Sequence, residues 1–168
     1  MKPVRRGAVL ALFAAGALLG AAVPPSARDL AGRYTHSFRN GDISGARFTS
    51  IDTVLIVATG RARAYVDLQL NFFNGHECSI GGMAALEGGR LVYRDPEMQG
   101  FDGSPCQLSV WRDGARLRWT DGEGSCRGHC GARGGLSDGE MRWSSRRPIP
   151  PAEQARILAD YERDRTLP

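Results

Sequence analysis

Turn-forming residues recur along most of this chain and divide it into short segments. The turn signals are NGD at 40–42, ATG at 58–60, NG at 74–75, GG at 88–89 and DG at 102–103, 113–114, 121–122 and 138–139. Gly next to Asn or Asp supplies the positive φ that tight hairpin turns require. Turns at this spacing predict a series of short antiparallel strands rather than long helices.

The segments between the turns have strand character. In YVDLQLNF at 65–72, apolar side chains alternate with Asp, Gln and Asn, which is the pattern of a strand with one buried face. The other candidates are RYTHSF (33–38), TVLIVA (53–58), MAAL (83–86), RLVY (90–93), CQLSVW (106–111), ARLRW (115–119) and EMRW (140–143). Seven or eight such strands predict an all-β fold, an antiparallel small barrel or sandwich.

The prolines of SRRPIPP at 145–151 end the strand pattern, and a helical pattern follows them. Pro151 suits the first position of a helix. Behind it, Ala155, Leu158 and Ala159 fall along one helical side, with Ile157 and Tyr161 close by. We predict a β domain over residues 23–148 and a short, proline-led C-terminal helix over 149–168 that docks on the sheet.

The N-terminal residues have the three regions of a secretory signal peptide. Lys2, Arg5 and Arg6 precede an apolar run of small residues from Gly7 to Val23. This run is shorter than the roughly 20 residues that a membrane-spanning helix needs. We predict a signal peptide over 1–22 with cleavage near Ala22, a periplasmic or secreted mature chain, and no membrane anchor after cleavage.

Removal of the signal peptide changes the charge balance. The full sequence has 22 basic and 18 acidic residues, and three of the basic ones lie in the signal, so the mature chain has a net charge of +1. A nucleic-acid-binding domain is expected to carry a marked basic excess, so nucleic acid is not expected as a partner. Because Lys2 is the only lysine, a catalytic lysine is excluded from the mature chain.

Four cysteines in an exported chain predict two disulfide bonds. Cys78, Cys106, Cys126 and Cys130 allow three pairings, and we favour Cys78 with Cys106 and Cys126 with Cys130. The second bond would close a small ring in CRGHCGARGG at 126–135. On that arrangement His129 lies at the tip of the ring and is expected to be replaceable without loss of the fold.

A zinc site is the alternative interpretation of the same segments. The possible ligands are His76, Cys78, Cys126, His129 and Cys130. Structural zinc sites normally use two pairs of closely spaced ligands, whereas only Cys126 and Cys130 have the usual cysteine spacing. An oxidising compartment also removes free thiolates, so disulfides are favoured and no metal or other cofactor is predicted.

The histidines do not identify an enzyme. His36, His76 and His129 are the only ones, and neither G-x-S-x-G nor H-E-x-x-H occurs in the sequence. No catalytic residue is assigned. We interpret each histidine as a hydrogen-bonded loop or strand residue.

The one candidate ligand-binding site consists of arginines. Arg127 and Arg133 lie in the glycine-rich cysteine segment, and Arg146 and Arg147 lie in SSRRP. Guanidinium groups and free backbone amides together suit a carboxylate or a phosphate. The alternative is that these arginines are solvated or cover the sheet.

Three segments carry a resemblance to a known group. NGHECSIGGMA, CRGHCGARGGL and SSRRPI occur in this order, and the chain resembles small exported bacterial proteins with N-G-H-x-C, C-x3-C-G-A-R-G and S-R-R-P-I motifs. That group implies no activity. A second likeness is SGARF at 44–48, which is similar to the Ser-Gly-x-x-Tyr loop of periplasmic c-type lysozyme inhibitors, small disulfide-bonded β-barrels. Here Phe48 replaces the tyrosine, and the mature chain lacks the lysine of those inhibitors.

These observations lead to three hypotheses. The first is an exported, non-enzymatic binding module, with an inhibitor-like role among its possibilities, for a protein or an anionic envelope ligand. The second is a small secreted hydrolase that uses a histidine not identified by the sequence. The third is a zinc-binding protein that uses the His and Cys segments.

Overall fold

In the computed structural model, which describes residues 25–100 and 103–166, eight antiparallel strands follow one another in a single meander. The strands are β1 Gly32–Gly41, β2 Arg47–Ala58, β3 Arg63–Asn71, β4 Glu77–Glu87, β5 Arg90–Gln99, β6 Pro105–Asp113, β7 Arg116–Thr120 and β8 Gly139–Arg142. Each strand pairs with the next, and the backbones of Arg33 and Arg147 exchange two hydrogen bonds. The sheet therefore curls into a nearly closed barrel. The all-β prediction is confirmed, and every predicted strand segment overlaps an observed strand.

The interior of the barrel is filled by the apolar face of each strand. Along β3, Val66, Leu68 and Leu70 are buried while Gln69 is exposed, as the alternation predicts. The large side chains buried in β1 to β7 include Tyr34, Val54, Ile56, Val66, Leu68, Ile80, Leu91, Leu108, Val110 and Leu117. An eight-stranded barrel is narrow enough for side chains to fill it, as they do here. The clefts described below lie at the end of the barrel and on its outside.

The predicted C-terminal helix packs on the outside of the barrel. This helix, α2, spans Pro151–Asp164 and begins at Pro151 as predicted. Ile157 and Leu158 pack against outward-facing residues of β2, and the Tyr161 ring lies 4.9 Å from that of Tyr65. The short helix α1, Ala27–Leu30, precedes β1 and was not predicted.

The docked face of α2 differs in part from the predicted one. Ala155 and Ala159 are exposed, whereas Gln154, Ile157 and Tyr161 are partly buried. The larger side chains decide which side of the helix faces the sheet, because they bury more apolar area. No helix in the described part of the chain is long and apolar enough to cross a membrane. The predicted signal peptide and its cleavage site lie outside the described residues.

The strand directions define two ends of the barrel. The helix end carries α1, the β2–β3, β4–β5 and β6–β7 turns, and the chain that follows β8. The disulfide end carries the β1–β2, β3–β4 and β5–β6 connections and the long segment 121–138 between β7 and β8. Short 3₁₀ turns lie at Phe73–Gly75, Arg127–His129 and Trp143–Ser145.

All four cysteines form disulfide bonds, but the predicted pairing is wrong. Cys78 bonds to Cys130, and Cys106 bonds to Cys126. Cys126 and Cys130 flank a 3₁₀ turn, so that one reaches the start of β6 and the other the start of β4. The glycine-rich segment 126–135 is therefore a strap that joins separate strands, not a small ring. Two disulfides indicate that the chain folds in an oxidising compartment.

The strap also fills a gap between β4 and β5. These strands pair only over Ala85–Glu87 and Arg90–Val92, near the helix end. Toward the disulfide end, the Gly131 amide donates to the Glu77 carbonyl at 2.7 Å. Segment 129–131 therefore extends the sheet where β5 has separated from β4.

His129 is held within this gap, which corrects the expectation that it sits at a freely replaceable tip. Its Nε2 lies 2.9 Å from Asp95 Oδ2, and the two side chains are only 17% and 16% exposed. Asp95 lies on β5, so the pair fixes the strap to the strand across the gap. The strap thus has both a covalent and a polar attachment.

Candidate anion-binding site

Trp143 lies at the helix end, where the chain leaves β8. Its amide donates to the Ala115 carbonyl at 2.8 Å, which ties the Trp143–Ser145 turn to the β6–β7 turn. Its half-buried ring lies 5.5 Å from the Tyr34 ring in the barrel interior. Trp143 is therefore held by a backbone hydrogen bond and by the contact of its indole with the Tyr34 ring.

Two arginines stack on this indole. The guanidinium carbons of Arg112 and Arg146 lie 4.3 Å and 5.1 Å from the centroid of the Trp143 ring. A guanidinium over an indole face is attracted by the ring quadrupole. The pair of contacts places two positive charges around one aromatic side chain.

Each stacked guanidinium is also held by its inner nitrogen. Arg112 Nε donates to the Gly114 carbonyl at 2.9 Å, and Arg146 Nε donates to the Ala31 carbonyl at 2.7 Å. Within the part of the chain that the structure describes, the terminal nitrogens of Arg112 and Arg146 make no hydrogen bond. Because stacking and the Nε bond fix both groups in advance, binding of an anion by them would cost little side-chain entropy.

A cleft of about 610 Å³ opens beside the indole. Its lining consists of Arg112, Gly114, Ala115, Arg116, Arg142, Trp143 and Ser144. Arg116 is paired with Glu140 at 3.3 Å. Within the described chain, no carboxylate lies at ion-pair distance from Arg112 or Arg142. We refer to this feature as the arginine cleft.

Arg146 borders a second cleft of about 440 Å³ between β1 and α2. Gly32 lies against it with a φ of +151°, and a β-carbon there would be 2.9 Å from Arg146 Cγ. A side chain at this position would be strained and would displace Arg146. The glycine therefore permits the close approach of Arg146 to the start of β1.

Both stacked arginines also act electrostatically on Tyr34 in the barrel interior. The Tyr34 hydroxyl donates to the Leu30 carbonyl at 2.8 Å. Burial raises the pKa of Tyr34 above its ordinary value, while the charges of Arg146 and Arg112 act in the opposite direction. Tyr34 is thus a neutral hydrogen-bond donor that anchors α1 beside the two guanidinium groups.

The predicted arginine site is divided between the two ends. Arg146 belongs to the group around Trp143, and Arg147 donates to the Ser144 and Arg146 carbonyls beside it. Arg127 lies in the strap at the disulfide end and donates to the Ala132 carbonyl at 3.0 Å. Arg133 is exposed in the same strap. The four arginines therefore do not form one site.

Arg112, Arg116 and Arg142 were missed by the sequence analysis. The signal that points to them is the recurrence of Arg around Trp at two places, in WRDGAR at 111–116 and in RWSSR at 142–146. A hairpin turn presents the first group, and the 3₁₀ turn presents the second. Their proximity depends on the pairing of β7 with β8, which puts Arg116 opposite Arg142.

The residues of the alternative zinc interpretation do not form a metal centre in the described chain. Since every cysteine sulfur is in a disulfide bond, only His76 and His129 of the five possible ligands keep a free donor atom. No cluster of three or more potential ligands occurs within residues 25–100 and 103–166.

The fold and the cleft together define a small, disulfide-bonded, up-and-down barrel with a basic site at one end. No protein-family model, curated protein or solved structure matches the chain. What the cleft binds must therefore be argued from its own chemistry.

Proposed function

We propose that the protein is a non-enzymatic binding module of the periplasm or the extracellular space, and that the arginine cleft binds an anionic group of its ligand. The observation that carries this proposal is the stacking of Arg112 on Trp143 in the lining of the cleft, with its Nε already bonded to a carbonyl. Arg146 stacks on the same ring from the neighbouring cleft and adds a second positive charge beside the site. A carboxylate or a phosphate suits the remaining terminal nitrogens.

The composition of the cleft supports binding rather than catalysis. Among the described residues that line it, arginines and an indole predominate, and Ser144 is the one hydroxyl-bearing side chain. A histidine or carboxylate that would act as a general base for Ser144 is not part of this lining. The chemistry available to the cleft is electrostatic attraction and hydrogen-bond donation.

The experiment is a titration of the oxidised protein with inorganic phosphate, followed through the indole and arginine Nε resonances in NMR spectra. We expect saturable shifts of the Trp143 and Arg112 signals. Arg142→Gln should weaken the affinity by about tenfold or more, because a charge-assisted hydrogen bond contributes about 1.5 to 3 kcal/mol.

Arg133→Gln is the matched control, since it removes the same charge from an exposed position at the other end. It should leave the phosphate affinity unchanged. Equal affinities of the Arg142 and Arg133 variants, or shifts that do not saturate, would overturn the assignment of the cleft.

A further inference from the structure

Arginines without ion-pair partners surround the helix end of the barrel. They come from separate elements: Arg28 from α1, Arg61 from the β2–β3 connection, Arg63 from the start of β3, Arg90 from the start of β5, and Arg112, Arg142, Arg146 and Arg147 from around Trp143. Within the described chain, none of these lies at ion-pair distance from a carboxylate. We call this set the basic rim.

Most carboxylates at the same end already have an arginine partner. Glu87 pairs with Arg94 at 2.6 Å, and Glu140 pairs with Arg116 and Arg118. The other ion pairs at this end join Asp113 to Arg118, Glu153 to Arg33, Asp160 to Arg163 and Glu162 to Arg165. Within the described chain, Asp29 and Asp164 form no ion pair, so two carboxylates stand against the eight arginines of the basic rim and its charge remains positive.

The opposite end has a different charge pattern. Glu77, Glu97, Glu123 and Asp138 are exposed there, and none of them forms an ion pair within the described chain. Arg39, Arg47 and Arg133 lie at that end as well, so its charge is mixed. The contrast gives the barrel a positive end and a mixed end, although the mature chain is nearly neutral.

The arrangement of the rim distinguishes between kinds of anionic partner. A linear polyanion is bound best along a groove, where charges follow one line. Here the arginines come from separate turns and strand ends around the end of a barrel, and all of them except the partly buried Arg146 are exposed. Positive charges distributed around the end of a barrel can contact a flat anionic surface at the same time.

From this arrangement we infer that the helix end docks on an anionic lipid surface and that lipid phosphates are the anions bound in the arginine cleft. The inference rests on the proposed function, because it names the source of the anion. Basic residues near such a surface each contribute about 1 kcal/mol, which corresponds to about fivefold in binding.

The test is co-sedimentation of the oxidised protein with vesicles of phosphatidylcholine mixed with phosphatidylglycerol, compared with vesicles of phosphatidylcholine alone. We expect binding to the mixed vesicles only, and release as ionic strength rises, because exposed charges are screened over about 10 Å at 0.1 M salt. Binding that is equal for both vesicles, or that does not respond to salt, overturns the inference.

The decisive comparison uses two triple variants of equal charge. Arg28→Gln, Arg61→Gln and Arg63→Gln combined change the rim outside the arginine cleft, and should weaken vesicle binding by about a hundredfold. Arg39→Gln, Arg47→Gln and Arg133→Gln combined change the disulfide end and should weaken it by less than about fivefold. Similar losses in the two variants would reject docking through the helix end.

Titration with inorganic phosphate separates this inference from the proposed function. The rim variant should retain the phosphate affinity of the unchanged protein, since Arg112, Arg142 and Arg146 are intact. Phosphate binding without vesicle binding overturns the lipid inference and leaves the cleft assigned. Vesicle binding by a protein that does not bind phosphate overturns the role of the cleft, and with it the inference as stated.

Quenching of indole fluorescence by brominated phosphatidylglycerol gives an independent measurement in a variant with Trp111→Phe and Trp119→Phe, which keeps Trp143 as its one tryptophan. Trp143 borders the basic rim, so we expect its emission to be quenched on vesicle binding. An unquenched Trp143 in the vesicle-bound protein contradicts docking through this end.

Discussion

The two ends of the barrel are closed by different chemistry. At the disulfide end, the strap is bonded to β4 and β6 through Cys130 and Cys126, and His129 pairs with Asp95. At the helix end, the closing contacts are noncovalent, such as the Arg33–Arg147 backbone pair and the stacking of arginines on Trp143. Covalent bonds thus hold the end where β4 and β5 separate.

This difference explains why the candidate site lies at the helix end. Arg112 and Arg146 there are held through Nε and through their flat faces, and within the described chain their terminal nitrogens make no hydrogen bond. In the strap, Arg127 donates instead through its terminal nitrogen to a carbonyl of the strap itself, as Arg147 does to its neighbours at the helix end. The binding that we propose therefore falls to the two arginines whose structural contacts use other atoms.

The largest expected effect is the loss of a disulfide bond. The Cys78–Cys130 bond joins residues 52 apart in sequence and Cys106–Cys126 joins residues 20 apart. Loop entropy predicts losses of about 4 and about 3 kcal/mol respectively in the free energy of unfolding.

Urea denaturation of the Cys78→Ala/Cys130→Ala and Cys106→Ala/Cys126→Ala variants measures both losses. Paired replacement avoids a free thiol in either variant. A greater loss in the second variant would show that strap attachment to β6, not loop length, dominates at this end.

Loss of the polar contact between His129 of the strap and Asp95 should give the next largest loss of stability. His129→Ala removes the partner of Asp95 Oδ2 in a mostly buried position, while Oδ1 keeps the Glu97 amide, so we expect a loss of about 1.5 to 3 kcal/mol in the free energy of unfolding. His36→Ala is the control, because His36 is 59% exposed and its Nδ1 lies 3.8 Å from Asp52. Chemical denaturation that ranks the two variants equally would contradict a structural role for the His129–Asp95 pair.

Two neighbouring glycines of the strap, Gly134 and Gly135, differ in how closely other atoms pack around them. A β-carbon on buried Gly134 would lie 2.7 Å from Cys78 Sγ and 3.1 Å from Cys130 Cβ, whereas one on Gly135 would meet open space. Gly134→Ala should therefore lower stability by about 1 to 3 kcal/mol, and Gly135→Ala should leave it nearly unchanged. Thermal unfolding of the two variants measures the difference, and equal midpoints would mean that the strap moves freely to accommodate the methyl group.

The barrel itself was predictable because its signals are local. The alternation in YVDLQLNF and the Asn-Gly and Asp-Gly turns each act within a few residues, and together they determine a meander of neighbouring strands. Pro151 likewise identified the start of α2. Short-range rules were wrong only about which face of α2 docks, since that depends on Leu55 and Val57 of β2.

The disulfide pairing and the site were not predictable because they depend on how distant segments meet. Cys126 and Cys130 are neighbours in sequence, but the turn between them directs their side chains to β6 and β4. Arg112 reaches Trp143 only through the β6–β7–β8 pairing. A sequence shows which residues are suited to bind anions, but barrel closure decides which of them come together.

The smallest expected effect concerns the polar contact that attaches α2 at the helix end. Arg33 donates to Glu153 at 2.8 Å, and this hydrogen bond, aided by the charge of Arg33, holds the pKa of Glu153 below its ordinary value of 4.5. A carboxyl whose pKa is lower in the folded protein stabilises the fold above pH 4.5, and this contribution is lost as the pH falls further. Acidification should therefore loosen the start of α2 before the barrel unfolds, because the strap at the other end is covalent.

Methyl resonances of Ile157 and Leu158, recorded as the pH is lowered, should report this loosening. In Glu153→Gln the pH-dependent part should disappear, whereas Glu162→Gln, which removes the exposed pair with Arg165 at the far end of α2, should leave it in place. If the pH response is lost in the Glu162 variant instead, then α2 is attached through its C-terminal half, and the Arg33–Glu153 contact does not hold the helix on the barrel.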